Sequence, residues 1–217
     1  MGKMKSPDII VIDTIPDKEI IGRILKGEKQ LYEELMRKYD QRLFRIGMSI
    51  INDEAEARDI MQNTYLNAYL KLPSLKNKSN FGTWIIKILV NESLLRKKRR
   101  LKQQGTPDKQ LSNEIETPLR SLLNKELKAL LEKSIAGLPQ KYKLVFVMRE
   151  IEEMSTHETM DVLNLSESNV KIRLSRAKEM LREKLGGKKL KEVFKLKLPV
   201  CDRIVNYVMN KIERMYE

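Results

Sequence analysis

The chain of 217 residues holds one cysteine, Cys201, and one histidine, His157. A lone cysteine excludes a disulfide framework and points to a reducing compartment. The same scarcity leaves too few ligands for a zinc site of Cys and His. A Ser-His-Asp or Cys-His mechanism would have to pass through His157, which falls inside an expected helix, so no enzyme is expected and no cofactor is implied. Glycines number 9 and prolines 7, and they stand mostly where helices should begin or end. Long apolar runs are missing too. The longest early one, Ile9-Ile10-Val11-Ile12, is too short for a spanning helix or a signal-peptide core, and no membrane insertion is expected.

Positive charge is what the chain has in excess: 43 Lys and Arg against 30 Asp and Glu, a net +13. That balance suits a polyanion, either nucleic acid or an anionic membrane surface, although a lysine-rich solvated surface is the plainer account. The charge is clustered. RKKRRLK, Arg96 to Lys102, puts six cations into seven residues. A helix C-terminus rewards two or three cations by about 0.3–1 kcal/mol each, and the remainder repel one another. Duplex phosphates, one charge per about 1.7 Å of axis, account for the block better.

Periodicity is helical almost throughout. Helices are expected over 16–26, 28–51, 53–72 and 81–101, the second with a seam of Leu31, Leu35, Tyr39, Leu43 and Ile46. QQGTPDKQLSNEIE, residues 103–116, has no periodicity and reads as a flexible linker. Helices over 117–133 and 138–150 follow. The expected fold is all-α: two small helical domains, 16–102 and 117–185, joined by the linker 103–116, with a helical extension over 186–217. Fully extended, the linker would reach about 50 Å, enough for both halves to sit on one duplex.

Two features carry chemistry. In the second half, Ser155 and Glu158 form a capping box, Asn164-Leu165 a tight turn, and Ser166 the cap of another helix. That helix has an apolar stripe of Val170, Leu174, Ala177 and Leu181, with Lys171, Ser175, Lys178 and Arg182 opposite. This is the pattern of a helix-turn-helix whose second helix enters a major groove. In the first half, Phe81 and Trp84 stand between the polar loop LKNKSN and the cationic block. Aromatics so placed can stack unpaired bases. One of the two is expected in the core. The tail has Cys201, Ile204, Val205, Val208, Ile212 and Met215 on one helical side, with Cys201 a small buried hydrophobe.

From Ile24 to Leu185 the sequence resembles the extracytoplasmic-function sigma factors of bacterial RNA polymerase, in the sigma-70 family. GEKQLYEELMRKYDQRLFRIGMSIINDEAEARDIMQNTYLNAYLKL resembles their first conserved block. FGTWIIKILVNESLLRKKRR resembles the segment that captures and opens the minus-ten element. IAGLPQKYKLVFVMREIEEMSTHETMDVLNLSESNVKIRLSRAKEML resembles the minus-thirty-five reader. A VCDRIV-like segment after the reader also occurs in some members.

The resemblance implies roles by position. Asp59, Gln62 and Asn63 would face the clamp helices of the polymerase largest subunit, Asn63 standing where the family usually has an acid. Lys78, Asn80, Phe81, Trp84, Lys87 and Asn91 would serve the minus-ten element, Trp84 by packing more than by base contact, and Arg96, Lys97 and Lys98 would meet its backbone. Ser166, Glu167, Ser168, Asn169, Lys171, Arg173, Ser175 and Arg176 would meet the minus-thirty-five duplex. Thr159-Met160 replaces a common Ile-Ala pair, and the bulk of Met160 is expected to shift the packing of the two helices. The implied partners are polymerase core, through clamp helices and flap, promoter DNA, and an anti-sigma factor where a member has one. The implied location is the cytoplasm, with the nucleoid when polymerase is bound. Two alternatives stand beside this: a stand-alone helix-turn-helix regulator that never touches polymerase, and a peripheral protein using RKKRR on anionic lipid.

Overall fold

The computed structural model describes residues 15–77, 80–104, 133–185 and 202–215. Among them every regular element is helical. Helix α1 (Asp17–Ile24) is followed by Gly27, whose φ of 112° favours a residue without Cβ. A 3-10 turn, Lys29–Leu31, precedes α2 (Tyr32–Ile51). The α-helix expected from Glu28 therefore begins later; the Glu28 carboxylate reaches back to Arg23 Nε at 3.0 Å instead of capping a helix. Asn52 ends α2 in the left-handed region at φ 56°, which asparagine tolerates. Asp53 then caps α3 (Glu54–Lys71), accepting from Glu56 N at 2.9 Å. Helix α4 (Phe81–Gln104) takes in the first two residues of the expected linker. Residues 105–132, with the remainder of that linker and nearly all of the helix expected over 117–133, lie outside the described residues, as do Lys78 and Cys201.

Helices α2, α3 and α4 pack on one another as a three-helix bundle, with Leu35, Leu43, Ile46, Ile60, Tyr65, Ile85 and Leu89 buried between them. The second half contains α5 (133–136), α6 (Gln140–Phe146), a π-helical turn (Val147–Ile151), α7 (Thr156–Leu163) and α8 (Glu167–Leu185). The helix expected to run to 150 thus widens before its end. Glu152 N bonds Val147 O at 2.9 Å, an i to i−5 closure.

One apolar cluster passes through both halves, from Ile50 and Leu89 to Leu138, Phe146, Val162 and Leu181. Across this junction α4 packs on α7 and α2 on α6. Helix α9 (Asp202–Arg214) packs against α3 and α2 and buries Ile204, Val205, Val208 and Ile212. Met215, expected on the same apolar side, is 46% exposed because it follows the last helical residue. No described helix is long and apolar enough to cross a membrane.

Candidate nucleic-acid interface

The helix-turn-helix is closed by local hydrogen bonds. Ser155 Oγ accepts from Glu158 N at 3.1 Å while Glu158 Oε2 accepts from Ser155 N at 2.7 Å, so both halves of the capping box are made. Asn164, at φ 51°, forms the turn. Ser166 Oγ accepts from Asn169 Nδ2 at 2.9 Å and more weakly from Asn169 N at 3.4 Å. Val170, Ala177 and Leu181 are buried and Leu174 half-buried, as the stripe requires. Thr159, not Met160, is the fully buried member of its pair; its hydroxyl donates to Ser155 O at 2.9 Å.

The opposite side of α8 faces solvent. Ser166, Glu167, Ser168, Asn169, Lys171, Ser175 and Arg176 are exposed and Arg173 is half-buried. Lys171 pairs with Glu167 at 2.6 Å, and that ammonium holds the Glu167 carboxyl below the usual carboxylate range. Arg176 pairs with Glu179 at 2.8 Å. Arg173 pairs with no described carboxylate. Ile172, 59% exposed between Lys171 and Arg173, escaped the polar pattern. An isoleucine interrupting an otherwise polar face was the available signal, and apolar contact with a thymine methyl is the use such a side chain has in a major groove.

In the first half both aromatics pack on the core, Phe81 more deeply than Trp84. Phe81 is fully buried, edge-on to Tyr39 at 5.5 Å between centroids, whereas Trp84 is half-buried. The reason is helical spacing: Phe81, Ile85 and Leu89, at i, i+4 and i+8, are the buried seam of α4. Trp84, Lys87 and Asn91 form a neighbouring strip on which Lys87 and Asn91 are exposed. Asn80 is exposed just ahead of α4.

The cationic block is partly spent inside the protein. Arg96 and Arg100 approach Glu56 of α3 at 3.8 and 3.3 Å. Lys97 donates to Ile50 O at 3.2 Å and to Gln140 Oε1 at 3.4 Å. Lys98 and Arg99 remain exposed. On α3, Asp59 and Asn63 are exposed and Gln62 half-buried, beside Leu70, which is 57% exposed.

The junction between the halves is polar at its rim. Glu152, with only 2% of its side chain exposed, accepts from Arg45 Nε at 2.5 Å and Nη2 at 2.9 Å. Arg42 lies 3.5 Å from the same carboxylate and donates to Glu152 O at 2.5 Å. Thr83 Oγ1 donates to Glu158 Oε1 at 3.2 Å. Burial would raise the Glu158 carboxyl, but hydrogen bonds from Ser155 and Thr83 and the Arg42 charge outweigh it and hold that carboxyl below its usual range. Tyr39, Arg42, Asn80, Gly82 and Thr83 face His157, Glu158 and Asp161 across a cavity of about 330 Å³. The start of α7 therefore roofs the start of α4. Sequence reasoning singled out none of Arg42, Arg45 or Glu152.

The chain matches sigma-70 region 2 over residues 35–102 and sigma-70 region 4 over residues 128–181. It is 26% identical over 184 residues to the RNA polymerase sigma-H factor of Pseudomonas aeruginosa, covering 78% of this chain and 93% of that one. It is 27% identical over 179 residues to the ECF RNA polymerase sigma factor SigW of Bacillus subtilis, covering 77% and 96%. Among solved structures, CnrH in complex with the cytosolic domain of CnrY has a TM-score of 0.59 at 22% identity, covering 81% of this chain and 100% of that one. The sigma factor RpoE of Bartonella quintana, solved with the anti-sigma factor NepR, has a TM-score of 0.58 at 19% identity, covering 77% and 99%. Both likenesses are of fold. Two sigma regions in family order, the second containing the helix-turn-helix, together with these relatives place the chain in the extracytoplasmic-function group of the sigma-70 family, as an alternative sigma factor of RNA polymerase.

Proposed function

We propose that the chain works in the cytoplasm as a promoter-specificity subunit whose residues divide the task three ways. The exposed side of α3, with Asp59, Gln62 and Asn63, docks on polymerase core. Asn80, Trp84, Lys87 and Asn91, with Lys98 behind them, take the minus-ten strand once it unpairs; each stacked base would contribute about 1–3 kcal/mol. Phe81 supports this strip from beneath. The outer face of α8, from Ser166 to Arg176, reads the minus-thirty-five duplex.

The observation that carries the proposal is the division of α8 into a buried stripe and a solvent-facing row of hydroxyl, amide and cationic groups. A helix kept only for packing has no use for Ser166, Ser168, Asn169 and Arg173 on one open face. The roofing of the α4 start by α7 adds a condition: the two readers must part before the minus-ten strand can enter.

Transcription by polymerase core from a promoter library, with and without this protein, tests the proposal. Selective RNA synthesis from a subset sharing two spaced elements is the expected result. Synthesis no more selective than that of core alone would defeat it. Binding of one element without any effect on polymerase would favour the stand-alone regulator.

A further inference from the structure

Where the second half covers the first, the covered surface is built to hold anions. Arg42 and Arg45 stand on neighbouring turns of α2, and Thr83 stands in the first turn of α4. Arg42 and Thr83 share a cavity wall with Asn80, which belongs to the minus-ten strip proposed above. Arg42, Arg45 and Thr83 have no part in that strip.

What lies on them is acidic. Arg45 grips Glu152 at two points, Nε to Oε1 at 2.5 Å and Nη2 to Oε2 at 2.9 Å. Arg42 is 3.5 Å from the same carboxylate. Thr83 Oγ1 donates to Glu158 Oε1 at 3.2 Å. Both carboxylates come from the second half. A guanidinium fork that takes a carboxylate at two points takes a phosphate in the same geometry. The arginines keep 33% and 28% of their side chains exposed even here, so this surface reaches the rim of the junction.

Engagement of a whole promoter must uncover it. A body of about 150 residues has a radius of gyration of about 15 Å and a diameter of about 40 Å. Elements named for positions about 25 base pairs apart are centred about 85 Å apart, at about 3.4 Å per pair. The docked halves cannot touch both elements. Once the halves part, Glu152 and Glu158 leave with the second half, beside the place where the minus-ten strand would enter.

We infer that Arg42, Arg45 and Thr83 form a latent phosphate site for the unpaired minus-ten strand, occupied in cis by Glu152 and Glu158. The two carboxylates stand in for strand phosphates. Parting of the halves exchanges one anion for another, and the arginines are never left without a partner. The inference rests on the promoter function proposed above, which supplies both the strand and the reason for parting.

The test uses the full chain without polymerase. The probe is a fluorescein-labelled, mixed-sequence single-stranded DNA of about 12 nucleotides, followed by anisotropy. Glu152→Lys sets a third cation against Arg42 and Arg45 and forces the halves apart. Glu213→Lys, on the exposed side of α9, makes the same change in net charge away from the junction. Near 0.1 M salt Glu152→Lys should bind the probe at least about tenfold more tightly than Glu213→Lys, with a salt slope steeper by about 1.4 for two phosphates. Adding Arg42→Gln and Arg45→Gln to both variants should remove the difference between them. Equal affinities for the two lysine variants would overturn the site, and so would a difference that survives loss of both arginines. Should Glu152→Lys lose helix by circular dichroism, Glu152→Gln against Glu213→Gln makes the same comparison, with a gain of at least about threefold expected. Polymerase takes no part in this assay, so unselective transcription from the library defeats the promoter function alone, whereas equal affinities for the probe defeat the site alone.

Discussion

Arg45 on α2 and Glu152 beyond the π turn form a two-point ion pair, Nε to Oε1 at 2.5 Å and Nη2 to Oε2 at 2.9 Å. The pair joins the three-helix half to the half that contains the helix-turn-helix. Arg42 supports the same carboxylate at 3.5 Å. A carboxylate with 2% of its side chain exposed tolerates burial only while its partners stay. Docking of the two halves with Glu152 buried therefore requires that these arginine contacts be kept.

Removing both arginines tests that condition. In the Arg42→Ala, Arg45→Ala variant, an unpaired buried Glu152 would cost about 3–5 kcal/mol if the halves stayed docked. The chain can avoid that cost by undocking, which returns Glu152 to water. The expected outcome is a larger radius by small-angle X-ray scattering and lower energy transfer between labels on α3 and α8, with helix content unchanged. A cooperative loss of helix by circular dichroism would show instead that the pair stabilises one inseparable fold.

Base reading and backbone contact separate by their dependence on sequence and salt. Arg173→Ala should cost about 1–3 kcal/mol on the preferred minus-thirty-five sequence and relax the choice among variants of it. Lys98→Ala should weaken binding to all promoters alike and reduce the salt slope by about one. Ile172→Ala should lose discrimination only where a thymine methyl is replaced by hydrogen. Holoenzyme binding to a promoter panel at two salt concentrations measures all three. Equal losses on every sequence for Arg173→Ala would remove it from base reading.

Each half is legible in the sequence because its signals are local. The Ser155–Glu158 capping box, the turn at Asn164 and the stripe from Val170 to Leu181 depend on residues a few positions apart, and the structure contains all three. What joins the halves depends on residues far apart in the chain and leaves no local trace. Arg42 and Arg45 fit an ordinary solvated face, and Glu152 is one acid in the run REIEEMS. The π turn that precedes Glu152 has no compositional mark. Glu153 at φ 53° is not a residue that announces a left-handed position, whereas Asn52 and Asn164 are. Phe81 shows a different failure: its i, i+4, i+8 seam with Ile85 and Leu89 could have been read, but its place beside a polar loop argued for exposure.

The close approach of Gly82 to Tyr39 yields a prediction about the rim of the cavity. A Cβ at residue 82 would stand 2.7 Å from Tyr39 Cε1 and 2.9 Å from its hydroxyl oxygen. The ring cannot simply swing aside, since it packs edge-on to Phe81 and its hydroxyl donates to Asp17 Oδ2. Gly82→Ala should therefore cost about 1–3 kcal/mol as overpacking. Urea unfolding measures it, and a cycle with Tyr39→Leu should show strong coupling. Additive losses would mean that the backbone of α4 yields instead of the ring.

Acid offers an independent probe of the α7 start. The Glu158 carboxyl is held below its usual range in the folded protein, so its contribution to stability is complete above the unfolded pKa of about 4.3 and is lost as pH falls through the lowered value. A charge at a helix N-terminus contributes about 0.3–1 kcal/mol, and the partial exposure of this side chain puts the expectation at the lower end. Glu158→Gln retains an acceptor suited to the capping box but carries no charge, so it should be slightly less stable than the parent at neutral pH. Thermal unfolding midpoints followed from neutral pH into the acid range should converge for the two proteins only after the pH has fallen through that lowered folded value. A difference that stays constant across the range would mean that the carboxylate charge does not hold this end of α7 against Ser155 and Thr83.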